Sequence, residues 1–138
     1  MALAELTTKV HERYGEIRGQ QVVKALEKNG FPACYVATQE EAVAKFLELV
    51  PPDASVGIGG TVTARELNLI PILTDRGNQV IHHWQSDLTP EETIKRRKKM
   101  MVADVFLTSS NAITLQGELV NIDGVGNRVA AMIYGPGK

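Results

Sequence analysis

A chain of 138 residues, 43% hydrophobic and 22% charged, has the size and composition of one globular domain and argues against disorder. Its formal charge of −1 supplies no global field for nucleic acid or an anionic membrane, so recognition has to come from a local site. Cys34 is the single cysteine, which excludes an internal disulfide or a thiolate metal cluster within the chain. No apolar run reaches the roughly 18 residues of a membrane span. The first residues carry acids through their apolar positions and do not read as a signal peptide, so the cytoplasm is the default compartment.

The first 29 residues read as a helix, with Leu3, Leu6, Val10, Tyr14 and Ile17 in one apolar stripe. Gly15 and Gly19 invite a kink. Asn29-Gly30 closes the helix and Pro32 prevents its resumption. Residues 31–38 then read as a buried strand holding Cys34 as a small hydrophobe. Thr38 and Glu41 form a capping box for a helix whose apolar face is Ala42, Val43, Phe46, Leu47 and Val50. Pro51-Pro52 ends it.

Residues 54–60 form a strand running into glycines, and Thr63 with Glu66 is a capping box for a helix right behind them. Pro71 interrupts that helix, and a second piece stops at Gly77-Asn78. A strand is expected over 79–84. Thr89-Pro90-Glu91-Glu92 is the strongest helix start in the chain, leading to about residue 102, with a strand over 104–110. Residues 112–123 read as two short strands around a two-residue Gln116-Gly117 turn, and 128–134 as a helix. Such alternation implies a single α/β domain over 1–138, with an open, mostly parallel sheet, helices on both faces and a hairpin near the C-terminal end. A last helix would normally feed one more strand, which the chain does not contain.

Two glycine loops can carry chemistry. The first, Gly57-Ile58-Gly59-Gly60-Thr61 with Thr63, leads from a strand to a helix start. Backbone N–H groups converge there, glycines admit close approach and threonines add hydroxyls, so the natural occupant is an anion. It lacks the third glycine and the lysine of dinucleotide and Walker loops, and a tight turn with a capped helix is the plainer reading. The second loop runs Asn121-Ile122-Asp123-Gly124-Val125-Gly126-Asn127-Arg128. Asp123 suits acid–base work, while Asn121, Asn127 and the backbone at Gly124 and Gly126 suit a polar ligand at the strand ends. Equally, Asp123 can cap the following helix. Arg128 reads as an exposed helical residue.

Other candidates are weaker. His82 and His83, adjacent on a strand, point to opposite faces and cannot share a metal, though His83 beside Trp84 can serve as a base. The run Lys95 to Lys99 reads as a solvated face. Ser109, Ser110 and Asn111 end a strand on the ligand side without an evident activating base.

The stretches GIGGTVTARELNL and ADVFLTSSNAITLQGELVNIDGVGNRVAAMIYGPGK resemble the lactate-utilisation (LUD) domain family, and the likeness covers nearly the whole chain. The resemblance implies an open α/β fold related to ribose-5-phosphate isomerase, glucosamine-6-phosphate deaminase and CoA transferases. It also implies a part in oxidation of lactate to pyruvate, alongside iron–sulphur proteins. Family members usually continue past GPGK into a further strand and helix, so the chain reads as a trimmed product or fragment. Where related sugar-phosphate isomerases place an aspartate, this chain has Asn111, which takes no proton at neutral pH. On this reading Gly59, Gly60 and Thr61 hold a small anionic metabolite and Asn121, Asp123 and Asn127 orient it. No cofactor motif is present, so electrons pass through a partner or a cofactor the chain does not reveal. The alternatives are a transferase or isomerase using Asp123 or Glu118 on a CoA-linked or phosphorylated substrate, and a non-catalytic assembly subunit. An unfinished sheet edge makes a homodimer plausible.

Overall fold

Strand β1 (Ser55–Ile58) is the middle of a three-stranded parallel sheet, between β2 (Gln79–Ile81) and β3 (Val105–Leu107). The computed structural model describes residues 3–137. In it Val56 stands opposite Val80 on one side and Val105 on the other. Alternation along these strands feeds two cores. Val56, Ile58, Val105 and Leu107 turn to one face, where they meet Leu69 and Leu73 of α4 (Leu69–Asp75), Ala64 of α3 (Val62–Glu66) and Phe46 of α2 (Gln39–Leu49). On the other face Ile81 and Phe106 pack with Met100, the last residue of α5 (Pro90–Met100). Gly57 belongs to that second face, where a methyl group would sit 2.7 Å from the Met100 carbonyl oxygen. The protein is therefore mixed α/β, with helices on both sides of a parallel sheet.

Several helix ends follow their local signals. Thr89 accepts the Glu92 amide, while its own amide and hydroxyl donate to the Glu92 carboxylate at 2.8 Å each. That is the expected capping box, with Pro90 at the first position. Helix α1 (Leu3–Lys28) runs unbroken past Gly15 and Gly19. It ends in a left-handed Gly30, where the Phe31 amide reaches back to the Leu26 carbonyl at 2.9 Å.

Elsewhere tertiary contacts override the local reading. The helix break falls at Asn68, held in the left-handed region with φ 53°, and Pro71 sits in the first turn of α4, where its missing N–H has no consequence. Residues 31–36 form no strand: no ladder partner exists for them among the described residues, and propensity without a partner leaves an irregular segment. Cys34 is accordingly exposed, not the buried hydrophobe expected. The strand over 79–84 stops at Ile81, and that over 104–110 spans Val105–Leu107.

Beneath the N-terminal strand ends lies a polar latch. Arg76 donates to the Leu47 and Val50 carbonyls at 2.9 Å each and to the Asn78 side-chain oxygen at 2.9 Å. Buried Asn78 in turn donates to the carbonyls of Pro51 at 2.9 Å and Ala54 at 2.8 Å. These bonds satisfy carbonyls at the end of α2 that no helical amide reaches. Asp104 accepts the Ser55 amide at 2.8 Å, tying the start of β1 to the residue before β3.

The chain divides into two compact units. The larger, Gln39–Ser109 with the segment from Ile122, holds the parallel sheet and α6 (Asn127–Tyr134), which packs beside α5. The smaller comprises the segment up to Thr38 and Ser110–Asn121. Its hairpin pairs β4 (Ala112–Ile113) antiparallel with β5 (Leu119–Val120). The connection is a three-residue loop, since the Thr114 amide bonds the Glu118 carbonyl at 3.0 Å and Gly117 takes φ 80°. Gly117 lies against the Ala25–Leu26 backbone, and Asn29 donates to the Gln116 carbonyl at 3.1 Å. The apolar stripe of α1 stays open: Leu3 is 80% exposed and Val10 57%. Among the described residues no helix is long and apolar enough to cross a membrane.

Candidate functional site

Parallel strands end together, and in this sheet the C-terminal ends of β1, β2 and β3 each lead into polar residues. From β1 the chain passes into Gly59, whose amide extends the ladder to the Leu107 carbonyl at 2.9 Å. A methyl there would lie 3.0 Å from the Phe106 ring and 3.2 Å from the Thr108 hydroxyl oxygen, so Gly59 is small because β3 is close. Gly60 differs. It is exposed, and a methyl would meet nothing within 4 Å. Its amide has no acceptor among the described residues. Thr61, 2% exposed, caps α3 by accepting the Ala64 amide at 3.3 Å. The cap is thus Thr61 and not Thr63, which sits exposed in the first turn. Backbone conformation decides between them: Thr61 holds the extended backbone a cap requires, while Thr63 is already helical.

From β2 the chain leads to His82, His83 and Trp84. Because the strand stops at Ile81, strand alternation does not govern the two imidazoles. Both lie near the indole, with ring centroids 5.9 and 5.6 Å away. The Trp84 amide donates to His82 Nδ1 at 3.2 Å, leaving the proton of the neutral ring on Nε2. Burial, then the charge of Arg96 for His82 and of Arg97 for His83, hold both below the ordinary 6.5. The guanidinium of Arg65, from α3, lies 5.3 Å from the Trp84 ring centroid and bridges the ends of β1 and β2.

From β3 come Thr108 and Ser109, and here the second glycine loop is fastened. Arg128, only 8% exposed, donates through Nη1 to the Ser109 carbonyl and through Nη2 to the Ile122 carbonyl at 2.8 Å. The expectation of an exposed helical arginine is overturned. No local signal announces this, because Ser109 is a distant residue whose carbonyl becomes an acceptor only once β3 has ended. Asp123 accepts the amides of Arg128 at 2.8 Å, Val129 at 3.1 Å and Val125 at 3.3 Å. Its carboxylate therefore holds the first turn of α6, which begins behind left-handed Gly126 without a side-chain cap.

Burial raises the Asp123 pKa, but the amides of Val129, Val125, Arg128 and Gly126 outweigh it and the group titrates below its ordinary 3.8. Asp123 is ionised at neutral pH and engaged with backbone, an arrangement that suits a positioning residue. Gly124 is exposed with open space around it, and Asn127 is the first residue of α6. Asn111 and Asn121 bound the hairpin of the smaller unit, where the Asn111 amide bonds the Val120 carbonyl at 3.0 Å. Glu118, in the same hairpin, accepts the Thr114 hydroxyl at 3.0 Å. Among the described residues no three His, Cys, Asp or Glu side chains gather as metal ligands would.

The family model described as the LUD domain matches residues 19–138. The chain belongs to the LUD-domain family. No curated protein and no solved structure matches it. The LUD-domain match covers the parallel sheet, both glycine loops and the hairpin, and the family is associated with lactate utilisation.

These ionisations predict how LUD-domain stability falls with acid. The histidines' folded pKa values are depressed, so their contribution is present above about pH 6.5 and is lost as pH drops below it. Asp123 follows the same sign lower down: its share is present above about pH 4 and lost as pH falls through the folded value. Glu92 and Asp104, hydrogen-bonded to Thr89 and Ser55, also titrate low, so Asp123 must be read by difference. Asp123→Asn is expected to destabilise by about 1 kcal/mol at pH 7. That gap should close as urea midpoints are followed from pH 6 to 3. A gap independent of pH would contradict the assignment.

Proposed function

We propose that this LUD-domain chain binds a small anionic metabolite, a 2-hydroxy acid such as lactate or its 2-oxo product, at the C-terminal ends of β1, β2 and β3. The observation that carries this reading is Gly60: an open backbone position at the strand ends, whose amide has no acceptor among the described residues, with Arg65 in the helix that follows. A carboxylate seated there accepts the Gly60 amide and the Thr63 hydroxyl, and Arg65 balances its charge. His82 and His83, held neutral at neutral pH, place a proton donor and a proton acceptor next to the substrate's hydroxyl or carbonyl. Arg128 and Asp123 keep the second loop in place against β3. In this reading the chain binds and orients the acid, and the electrons of its oxidation pass to an iron–sulphur partner protein.

The test is a thermal-shift panel of lactate, pyruvate, sugar phosphates, CoA esters and folates. A ligand at a hundred times its dissociation constant stabilises by about 2.7 kcal/mol, enough to move the melting midpoint by several degrees. Gly60→Val should erase the shift given by lactate or pyruvate while leaving the unliganded midpoint unchanged, because the new side chain enters the ligand's space and its Cβ meets no protein atom within 4 Å. A shift that survives the substitution defeats the reading, as does a panel to which the wild-type chain is silent.

A further inference from the structure

The parallel sheet has an edge at β2, which pairs with β1 and, among the described residues, with nothing else. Along that edge runs a groove of about 350 Å³, lined by β2, by Leu88 and by Lys95, Arg96 and Lys99 of α5. Glu92 also borders it: its carboxylate, hydrogen-bonded to the amide and hydroxyl of Thr89, is ionised and offsets part of the charge of Arg96 and Lys95, so the three cations leave the lining net positive. No carboxylate forms an ion pair with Lys95 or Lys99 among the described residues. The groove therefore combines unused ladder positions, a few apolar side chains and a row of cations.

We propose that this edge docks an extended, acidic segment of another protein, which adds to β2 as a further strand. The spacing supports it. Lys95 and Lys99 are one helical turn apart, so their side chains start about 6 Å from each other. Alternate residues of an extended chain recur about 6.6 Å apart on one face, so acidic side chains at every second position meet the two lysines in turn. The residues between them contribute backbone groups to the ladder. A second copy of this chain is a poor occupant. Edge-to-edge pairing about a two-fold axis would set two α5 helices side by side on one face, lysine against lysine. Because β2 is three residues long, few main-chain bonds form and the charges supply most of the attraction.

The experiment titrates the full chain into a fluorescein-labelled heptapeptide alternating glutamate and valine. Saturable binding that weakens as salt rises is expected. Lys95→Gln with Lys99→Gln should weaken it by about tenfold, and these exposed substitutions leave the cores untouched. Hydrogen exchange at the amides of residues 79–81 should slow on binding, a signature that simple ion pairing does not produce. A heptapeptide with proline at its centre should bind at least tenfold more weakly. Equal binding of the proline peptide, a short oligonucleotide bound more tightly than the acidic peptide, or affinity indifferent to the double substitution would each overturn the proposal, as would no binding.

Discussion

Gly57→Val should destabilise the protein by about 3 kcal/mol, while the same change at Gly60 leaves stability within about 0.5 kcal/mol of wild type. Both glycines lie in the loop region that the sequence singles out for ligand binding, yet their surroundings differ in kind. At Gly57 a Cβ would stand 2.7 Å from the Met100 carbonyl oxygen and 3.0 Å from its Cα. Those atoms are backbone at the end of α5 and cannot rotate aside. The helix must lift from β1, opening the small core of Ile81, Met100 and Ala103. Urea denaturation of the two variants at one pH decides the matter. Equal losses at the two positions, or none at Gly57, would show that α5 is free to move and that the contact is not what requires glycine.

Arg128→Ala should be nearly as damaging, at about 2–4 kcal/mol, and Arg128→Lys should recover only part of it. The guanidinium reaches the Ser109 and Ile122 carbonyls in two directions, a fork that an ammonium on a lysine stem cannot reproduce. Removing it deletes a charged donor that two part-buried carbonyls share, and a hydrogen bond to a charged group contributes more than a neutral one. The damage should be local at first: the loop from Ile122 to Asn127 and the first turn of α6 lose their anchor to the end of β3. Hydrogen exchange at the Val129 and Ala130 amides should accelerate before global unfolding. A full recovery by lysine would mean that charge, not geometry, is what the site needs.

Much of the architecture was legible because its signals are local. The Thr89 capping box, the left-handed Gly30 after α1 and the proline pair after α2 each act within one turn of chain, and each element ends where those residues stand. The order of strands and helices followed from periodicity, and with it the parallel sheet. What misled were residues whose role depends on remote partners. The segment 31–38 has strand-like composition but gains no ladder, and Thr63 yields the cap to Thr61 because the glycine turn brings the earlier threonine into position. Arg76 and Arg128 gave no sign of their work, since each donates to carbonyls of residues far away in sequence. Asp123 was readable in both ways, and backbone amides of its own loop and of α6 occupy it.

The place of β1 in the sheet has a consequence for how the protein is made. The central strand is the first of the three to leave the ribosome, and it waits for Val80 and then for Val105 before either side is paired. At synthesis rates of roughly 5–20 residues per second, the interval to the second partner is a matter of seconds. During that time Val56 and Ile58 have helices to lean on but no complete ladder. The α2–α4 layer, which precedes β3 in the chain, covers the apolar face of the nascent strand, while the strand's other edge stays open until Val105 arrives.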